Sequence, residues 1–224
     1  MVFLDRDDAG RRLARALLHL RGKNPVVVGL PRGGVPVAAQ VARVLEAPLD
    51  VIVVRKLGIP YQPEVAMGAI GERDVRLVDW DIVSLAGVSA SEVREVIERE
   101  RGEVRRRARW FRDGRAPLDL EDRTVIVVDD GIATGSTIAA AVRVARSLGA
   151  ESIVVAAPVA PADVVERLRR LADDVVVLET PEVFAAVGQA YAVFDQVSDD
   201  EVARTLLESR ERPFTSNHPV SSTI

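Results

Sequence analysis

The sequence predicts an α/β domain built on an open parallel sheet with helices on both faces, and three observations carry that prediction. Short runs of β-branched and other apolar residues recur at 26–30, 51–54, 125–128, 152–157 and 175–178, and none has a polar face. Strands buried on both faces read this way. Between them lie stretches with apolar residues three and four apart, so strand and helix alternate through most of the chain. Twice, at 30–36 and 129–137, a buried strand passes into a helix through a turn holding two glycines. In open α/β sheets that edge is where ligands bind.

Taken in order, residues 7–21 form an amphipathic helix with Leu13, Ala16, Leu17 and Leu20 on one face, ended by Asn24-Pro25. The first strand, 26–30, runs into Pro31-Arg32-Gly33-Gly34, and a second helix follows to about Glu46. Adjacent glycines let the backbone approach a charged group, and Arg32 offers a forked cation suited to phosphate. The run 51–54 reads as a third strand with Arg55 and Lys56 at its C-terminal end, a second grip on a phosphate anion or else a solvated strand end. Residues 57–71, with Gly58, Pro60, Pro63, Gly68 and Gly71, read as a polar, flexible loop. Small apolar residues at 66–70 and then 75–78 add a β-hairpin, so 57–78 is a flexible loop with a hairpin.

Residues 89–112 form a long charged helix. Ser89 with Glu92 makes a capping box, and Val93, Val96, Ile97 and Val104 give an apolar stripe narrow enough to suit a partner subunit. Its cluster RRRARW is balanced by upstream glutamates, so it reads as a solvated face and not as a nucleic-acid patch. After a loop at 113–122 come the central strand and a helix from Ser136 to Leu148, with Gly149 where a C-cap glycine belongs. A strand at 152–157, a helix opened by Pro161 and a strand at 175–178 complete the sheet. The segment after it holds Phe184, Tyr191 and Phe194; packing in the core is the expected role of at least two. Ser198 caps a closing helix to about Leu207, and 210–224 reads as a disordered tail beyond a single domain at 1–209.

Composition bounds the function. The 224 residues are 48% hydrophobic and 29% charged with a net charge of −4, which argues against a general nucleic-acid surface. There is no cysteine, hence no disulfide, no thiol chemistry and no cysteine-based zinc site, and His19 and His218 lie far apart in sequence. No apolar signal region follows Met1, and the apolar stretch 153–165 is broken by Pro158 and Pro161. A cytoplasmic protein without a membrane or nucleic-acid partner is expected.

The chemistry concentrates at residues 124–137, TVIVVDDGIATGST. Asp129 and Asp130 end a buried strand; Gly131, Ala133, Thr134, Gly135, Ser136 and Thr137 lead into a helix. Free backbone N–H groups and the positive end of the helix dipole make the loop an anion site. The two acids would repel a bare phosphate, and their natural partners are hydroxyls or a metal with its waters. A ligand with a phosphate for the loop and a vicinal diol for the acids satisfies both, as ribose 5-phosphate does. A Walker loop needs a Gly-Lys-Ser/Thr run, and no lysine is present here; the dinucleotide fingerprint needs a closer glycine spacing.

VIVVDDGIATGST resembles the 13-residue signature of the type I phosphoribosyltransferases, and the likeness extends over most of the chain in element order. The resemblance implies that family's fold, a Rossmann-like open sheet with a small flexible hood or lid over the substrate. It implies that Asp129 and Asp130 hold the ribose hydroxyls of 5-phosphoribosyl 1-pyrophosphate (PRPP), and that the stretch from Ala133 to Thr137, with Gly131 before it, holds its 5-phosphate. Arg32, Gly33 and Gly34 become the pyrophosphate loop, with Arg55 and Lys56 as a second grip on pyrophosphate, and 57–71 becomes a lid in which Tyr61, Gln62 and Glu64 are placed to touch a reacting group. In that family, purine enzymes stack the base on an aromatic after the last strand, which brings Phe184, Tyr191 and Phe194 into question.

The expected activity is magnesium-dependent transfer of ribose 5-phosphate from PRPP to a small-molecule nucleophile such as a nucleobase. Asp129, Asp130, Arg55 and Lys56 are the catalytic set. Mg²⁺ is held by substrate oxygens and water near the acids, not by a protein cage. A homo-oligomer, such as a dimer, is expected. The alternative is a PRPP- or nucleotide-sensing regulator that kept the pocket without the chemistry.

Overall fold

The structure, a computed structural model, describes residues 3–211. The first half contains α1 (Arg6–Ala16), β1 (Pro25–Gly29), α2 (Gly34–Leu45), β2 (Leu49–Val51), β3 (Val54–Ile59), β4 (Gln62–Gly71), β5 (Arg76–Val78), α3 (Trp80–Leu85) and α4 (Ala90–Phe111). The second contains β6 (Thr124–Val128), α5 (Ser136–Ser147), β7 (Ser152–Val159), α6 (Ala162–Leu168), β8 (Asp174–Glu179) and α7 (Asp199–Glu211).

The central sheet has the order β2-β1-β6-β7-β8, and every pair in it is parallel. Alternate residues serve opposite layers, because side chains change face at every step along a strand. Val26, Val28, Val125 and Val127 pack with Ile138 and Val142 of α5 and with Val164 and Leu168 of α6. Val27 and Ile126 pack on the other side with Leu13 of α1, Val41 of α2 and Val202 of α7. The strands therefore need no polar face, as expected. Chain order reverses between β1 and β6, and the crevice at their C-terminal ends is the switch point at which such sheets bind ligands.

A second, antiparallel sheet, β3-β4-β5, forms the hood together with α3 and α4. Here the structure corrects two expectations. The run 51–54 is not one strand: β2 ends at Val51, the chain leaves the parallel sheet, and β3 starts at Val54. Arg55 and Lys56 lie inside β3, not at the end of a parallel strand. Residues 57–71 are not a loop but the two arms of a hairpin turning at Pro60-Tyr61. The glycines that read as breakers allow close strand approach: a Cβ on Gly68 (φ +159°) would lie 2.1 Å from the Leu77 carbonyl oxygen.

Helix α3 was not expected; Asp79 caps it by accepting from the N–H groups of Asp81 and Ile82. The Ser89–Glu92 capping box of α4 is present in both directions. Its stripe, Val93, Val96, Ile97 and Val104, is buried in the chain's own core, so no partner subunit is needed to cover it. The hood is fastened to the central sheet by Arg112, just past α4. It donates to Asp50 (2.8 Å) at β2 and to Glu72 (2.7 and 3.1 Å) between β4 and β5. Helix α7 runs to Glu211, past the expected stop, so 210 and 211 are helical; the remainder of the expected tail, with His218, lies outside the described residues. No helix among the described residues is long and apolar enough to cross a membrane.

Candidate active site

The switch point joins the two glycine turns. Asp129 and Asp130 follow β6, and the Pro31–Gly34 turn following β1 presses against them. A Cβ on Gly33 would fall 1.9 Å from Asp130 Oδ2, and one on Gly34 2.6 Å from the Val128 carbonyl oxygen. Both positions admit only glycine without rearrangement. Arg32, beside them, is exposed and has no ion pair among the described residues.

Beyond the acids, Gly131 is buried, with Val187 so close that a Cβ would lie 2.4 Å from its side chain. Ala133, Thr134, Ser136 and Thr137 are exposed. Gly135 takes a left-handed conformation (φ 77°) as N-cap of α5 and has no side chain with which to cap it. The first turn of this 12-residue helix thus presents N–H groups and the positive dipole end beside exposed hydroxyls. Thr134 Oγ1 and Ser136 Oγ lie 2.9 Å apart.

The acids are unevenly compensated. Arg6 Nε, at the start of α1, donates to Asp130 Oδ2 at 2.8 Å, and Arg6 Nη1 donates to the Asp195 carbonyl at 2.7 Å. Asp129 accepts the backbone N–H of Asp130 at 2.9 Å and has no ion pair with a basic side chain among the described residues. Burial, reinforced by the Asp130 charge, pushes the Asp129 carboxyl well above the usual range. Burial also raises Asp130, against the opposing Arg6 hydrogen bond and charge. Two carboxylates and one guanidinium leave a site that favours hydroxyl donors or a cation.

Sequence reasoning missed Arg6. It is 124 positions from its partner and reads as an ordinary first-turn residue of a helix. The aromatic segment frames it: the guanidinium carbon lies 4.0 Å above the Phe194 ring, which stacks on Tyr191 with centroids 4.9 Å apart. Tyr191 donates its hydroxyl to the Asp130 carbonyl, and burial holds its phenol protonated. Of the three aromatics, only Tyr191 is buried; Phe184 is half-buried and Phe194 is exposed beside the acids. This corrects the expectation of two core residues.

Arg55 and Lys56 line a cavity of about 390 Å³ together with Thr137 of α5. They thus approach the phosphate loop, while Gly33 and Gly34 sit against the acids. No group of three or more metal-ligating side chains occurs among the described residues. The acid pair alone, oxygen-only and short of positive charge, fits a hard cation that brings most of its own ligands as substrate oxygens and water.

The chain matches the phosphoribosyl transferase domain family over residues 6–193. It is 52% identical over 213 residues to the Mycobacterium tuberculosis H37Rv protein named "Putative phosphoribosyl transferase Rv0571c" and equally to its counterpart in strain CDC 1551 / Oshkosh. The match covers 95% of this chain and 48% of each relative, so the chain spans about half the length of these curated relatives. The crystal structure of TT1426 from Thermus thermophilus superposes with a TM-score of 0.83 at 44% identity, covering 93% of this chain and 99% of that one. This chain belongs to the phosphoribosyl transferase domain family, whose type I fold its five-stranded parallel sheet follows.

Proposed function

We propose that the chain is a magnesium-dependent phosphoribosyltransferase that moves ribose 5-phosphate from PRPP to a small-molecule nucleophile and releases pyrophosphate. One observation carries the reading: an under-compensated acid pair faces an uncapped helix start across a glycine turn at the switch point. A diol and a phosphate on one small sugar fit that pair of needs, and family membership supports the choice.

In the proposed reaction the nucleophile forms a bond to ribose C1 as the C1–pyrophosphate bond breaks. Positive charge grows on the ribose and negative charge on the leaving group. Asp129 and Asp130, holding the ribose hydroxyls, lie beside the developing cation. Ala133, Thr134, Gly135, Ser136 and Thr137 hold the 5-phosphate, and Arg32, Gly33, Gly34, Arg55 and Lys56 receive the pyrophosphate. Mg²⁺, held by substrate oxygens and water near Asp129 and Asp130, supplies charge that neutralises pyrophosphate when bound. Positioning and electrostatics do the work, and no covalent enzyme intermediate is required.

The exposed tip of the β3–β4 hairpin, with Tyr61, Gln62 and Glu64, closes over the substrate and excludes water in this reading. Hydrogen exchange at 60–65 should slow when magnesium and PRPP are added; equal exchange would remove the lid. Phe194 and Arg6 border the acceptor side, and the protein works as a cytoplasmic homo-oligomer. The activity is tested by incubating the protein with magnesium, PRPP and a panel of nucleobases and assaying pyrophosphate. Base-dependent release is expected. PRPP binding without release from any base would favour the sensing alternative instead.

A further inference from the structure

Helix α4 brings to the substrate edge charged side chains that the reaction above leaves without a role. Glu100 is only 9% exposed, on the apolar side of α4 between Ile97 and Val104. Its Oε2 accepts from Arg55 Nε at 3.0 Å and its Oε1 from Arg99 Nε at 3.1 Å. Arg55, Arg99 and Glu100 line, with Lys56 and Thr137, the cavity of about 390 Å³ between β3 and the start of α5. Lys56 has no ion pair among the described residues. The cavity therefore holds three cations against one carboxylate, and that carboxylate is bonded to two of the three.

We infer that Arg99, Arg55 and Lys56 form one binding set for a phosphate group, with Glu100 as the residue that positions the two guanidinium groups. This rests on the phosphoribosyltransferase reading and extends it, because it makes the charged helix part of the site. With one carboxylate against three cations, the cavity keeps an excess of positive charge beside Thr137 of the phosphate loop, which an incoming anion offsets. Guanidinium groups already restrained by a carboxylate lose less freedom when they bind a phosphate. The proposed reaction puts pyrophosphate here, and the neighbouring Thr137 makes the 5-phosphate the other outcome of the test.

Calorimetric titration with ribose 5-phosphate, inorganic pyrophosphate and PRPP, each with magnesium, tests the set. Arg99 is mostly exposed, so Arg99→Ala should fold; it is compared with Arg109→Ala, an exposed cation of the same helix outside the cavity. Arg99→Ala should weaken PRPP and one of the two fragments about tenfold or more, the loss of a charge-assisted contact. The fragment affected identifies which phosphate sits there. Arg109→Ala should change neither. Equal losses in the two variants would mean a general field, and no loss in Arg99→Ala would remove it from the site; either overturns the inference. Glu100→Gln separates positioning from charge. It makes the cavity more positive, so a purely electrostatic site would bind more tightly, whereas a positioning role predicts weaker binding. Tighter binding overturns that role. Failure of the wild-type protein to bind PRPP would instead overturn the functional reading itself.

Discussion

Two clusters in this molecule each set a guanidinium against two carboxylates, and they are in opposite states; the first has a second guanidinium, Arg210, 3.7 Å from Asp50. At the junction of sheet and hood, Arg112 divides its donors between Asp50, Glu72 and the Val51 carbonyl. The remaining acceptors are filled as well: Asp50 takes the Leu118 N–H at 2.8 Å and Glu72 the Val53 N–H at 2.9 Å. Burial alone would lower the Arg112 pKa, yet its two acids outweigh it and the net shift is upward. At the switch point, Arg6 reaches Asp130 but not Asp129, and Asp129 rises well above its usual pKa. The first cluster is closed and acts as a fastener. The second is left open, and a fold keeps such an imbalance where a ligand completes it.

The same substitution should therefore have opposite signs in the two places. Asp50→Asn leaves Arg112 buried with the charge of one of its two acids removed, and breaking a buried charge pair costs about 3–5 kcal/mol. Urea denaturation at pH 7 measures this, and a loss under about 1 kcal/mol would mean that the junction is not held by this cluster. Asp129→Asn should instead stabilise the protein by roughly 1 kcal/mol, a common size of gain when a site is relieved of its functional strain.

The pH dependence follows from the direction of the Asp129 shift. Because its folded pKa is raised, the folded state binds the proton more tightly than the unfolded chain does. The penalty is absent below the ordinary carboxylate pKa of about 3.9 and grows as pH rises through the folded value. The advantage of Asp129→Asn should disappear in acid. A variant less stable than the wild type at pH 7 would break the contrast.

The smallest effect is expected on the outer face of α4, where hydrogen bonds from Arg106 and Arg107 lower Glu103 to about 2. Pairs this exposed contribute about 0.3–0.5 kcal/mol each. Glu103→Gln should thus cost under about 1 kcal/mol at pH 7, and the cost should fade as pH falls from about 4.3 through about 2. A loss as large as that of Asp50→Asn would show that burial is not what separates the clusters.

How much of this was legible in the sequence depended on whether a residue's partner was local. The stretch 124–149 could be read because strand, acids, loop, helix and C-cap glycine follow one another; Gly149 is in the left-handed conformation expected of it (φ 85°). The hairpin of 66–70 with 75–78 could also be read, and it is the β4–β5 pair. The β3–β4 hairpin could not, because its prolines and glycines signal a break while cross-strand pairing decides the outcome. The stop of the last helix was misplaced for a related reason. Val202 and Leu206 lead to Arg210 on the same face, and it approaches Asp50 to 3.7 Å, so a charged residue continues a buried stripe. The acids and both glycine turns were found as separate motifs. Arg6, which decides their electrostatic balance, became visible only once α1 was folded against Asp130.

The most direct test of the central claim is calorimetric titration of magnesium and PRPP into the wild type and into Asp129→Asn/Asp130→Asn. Asparagine keeps the shape of each side chain, so the double variant should fold and lose only charge and acceptor strength at the ribose hydroxyls. Binding by the wild type and a loss of about tenfold or more in the variant is the predicted result. Equal affinity in the two proteins would contradict the assignment of the acid pair to the ribose.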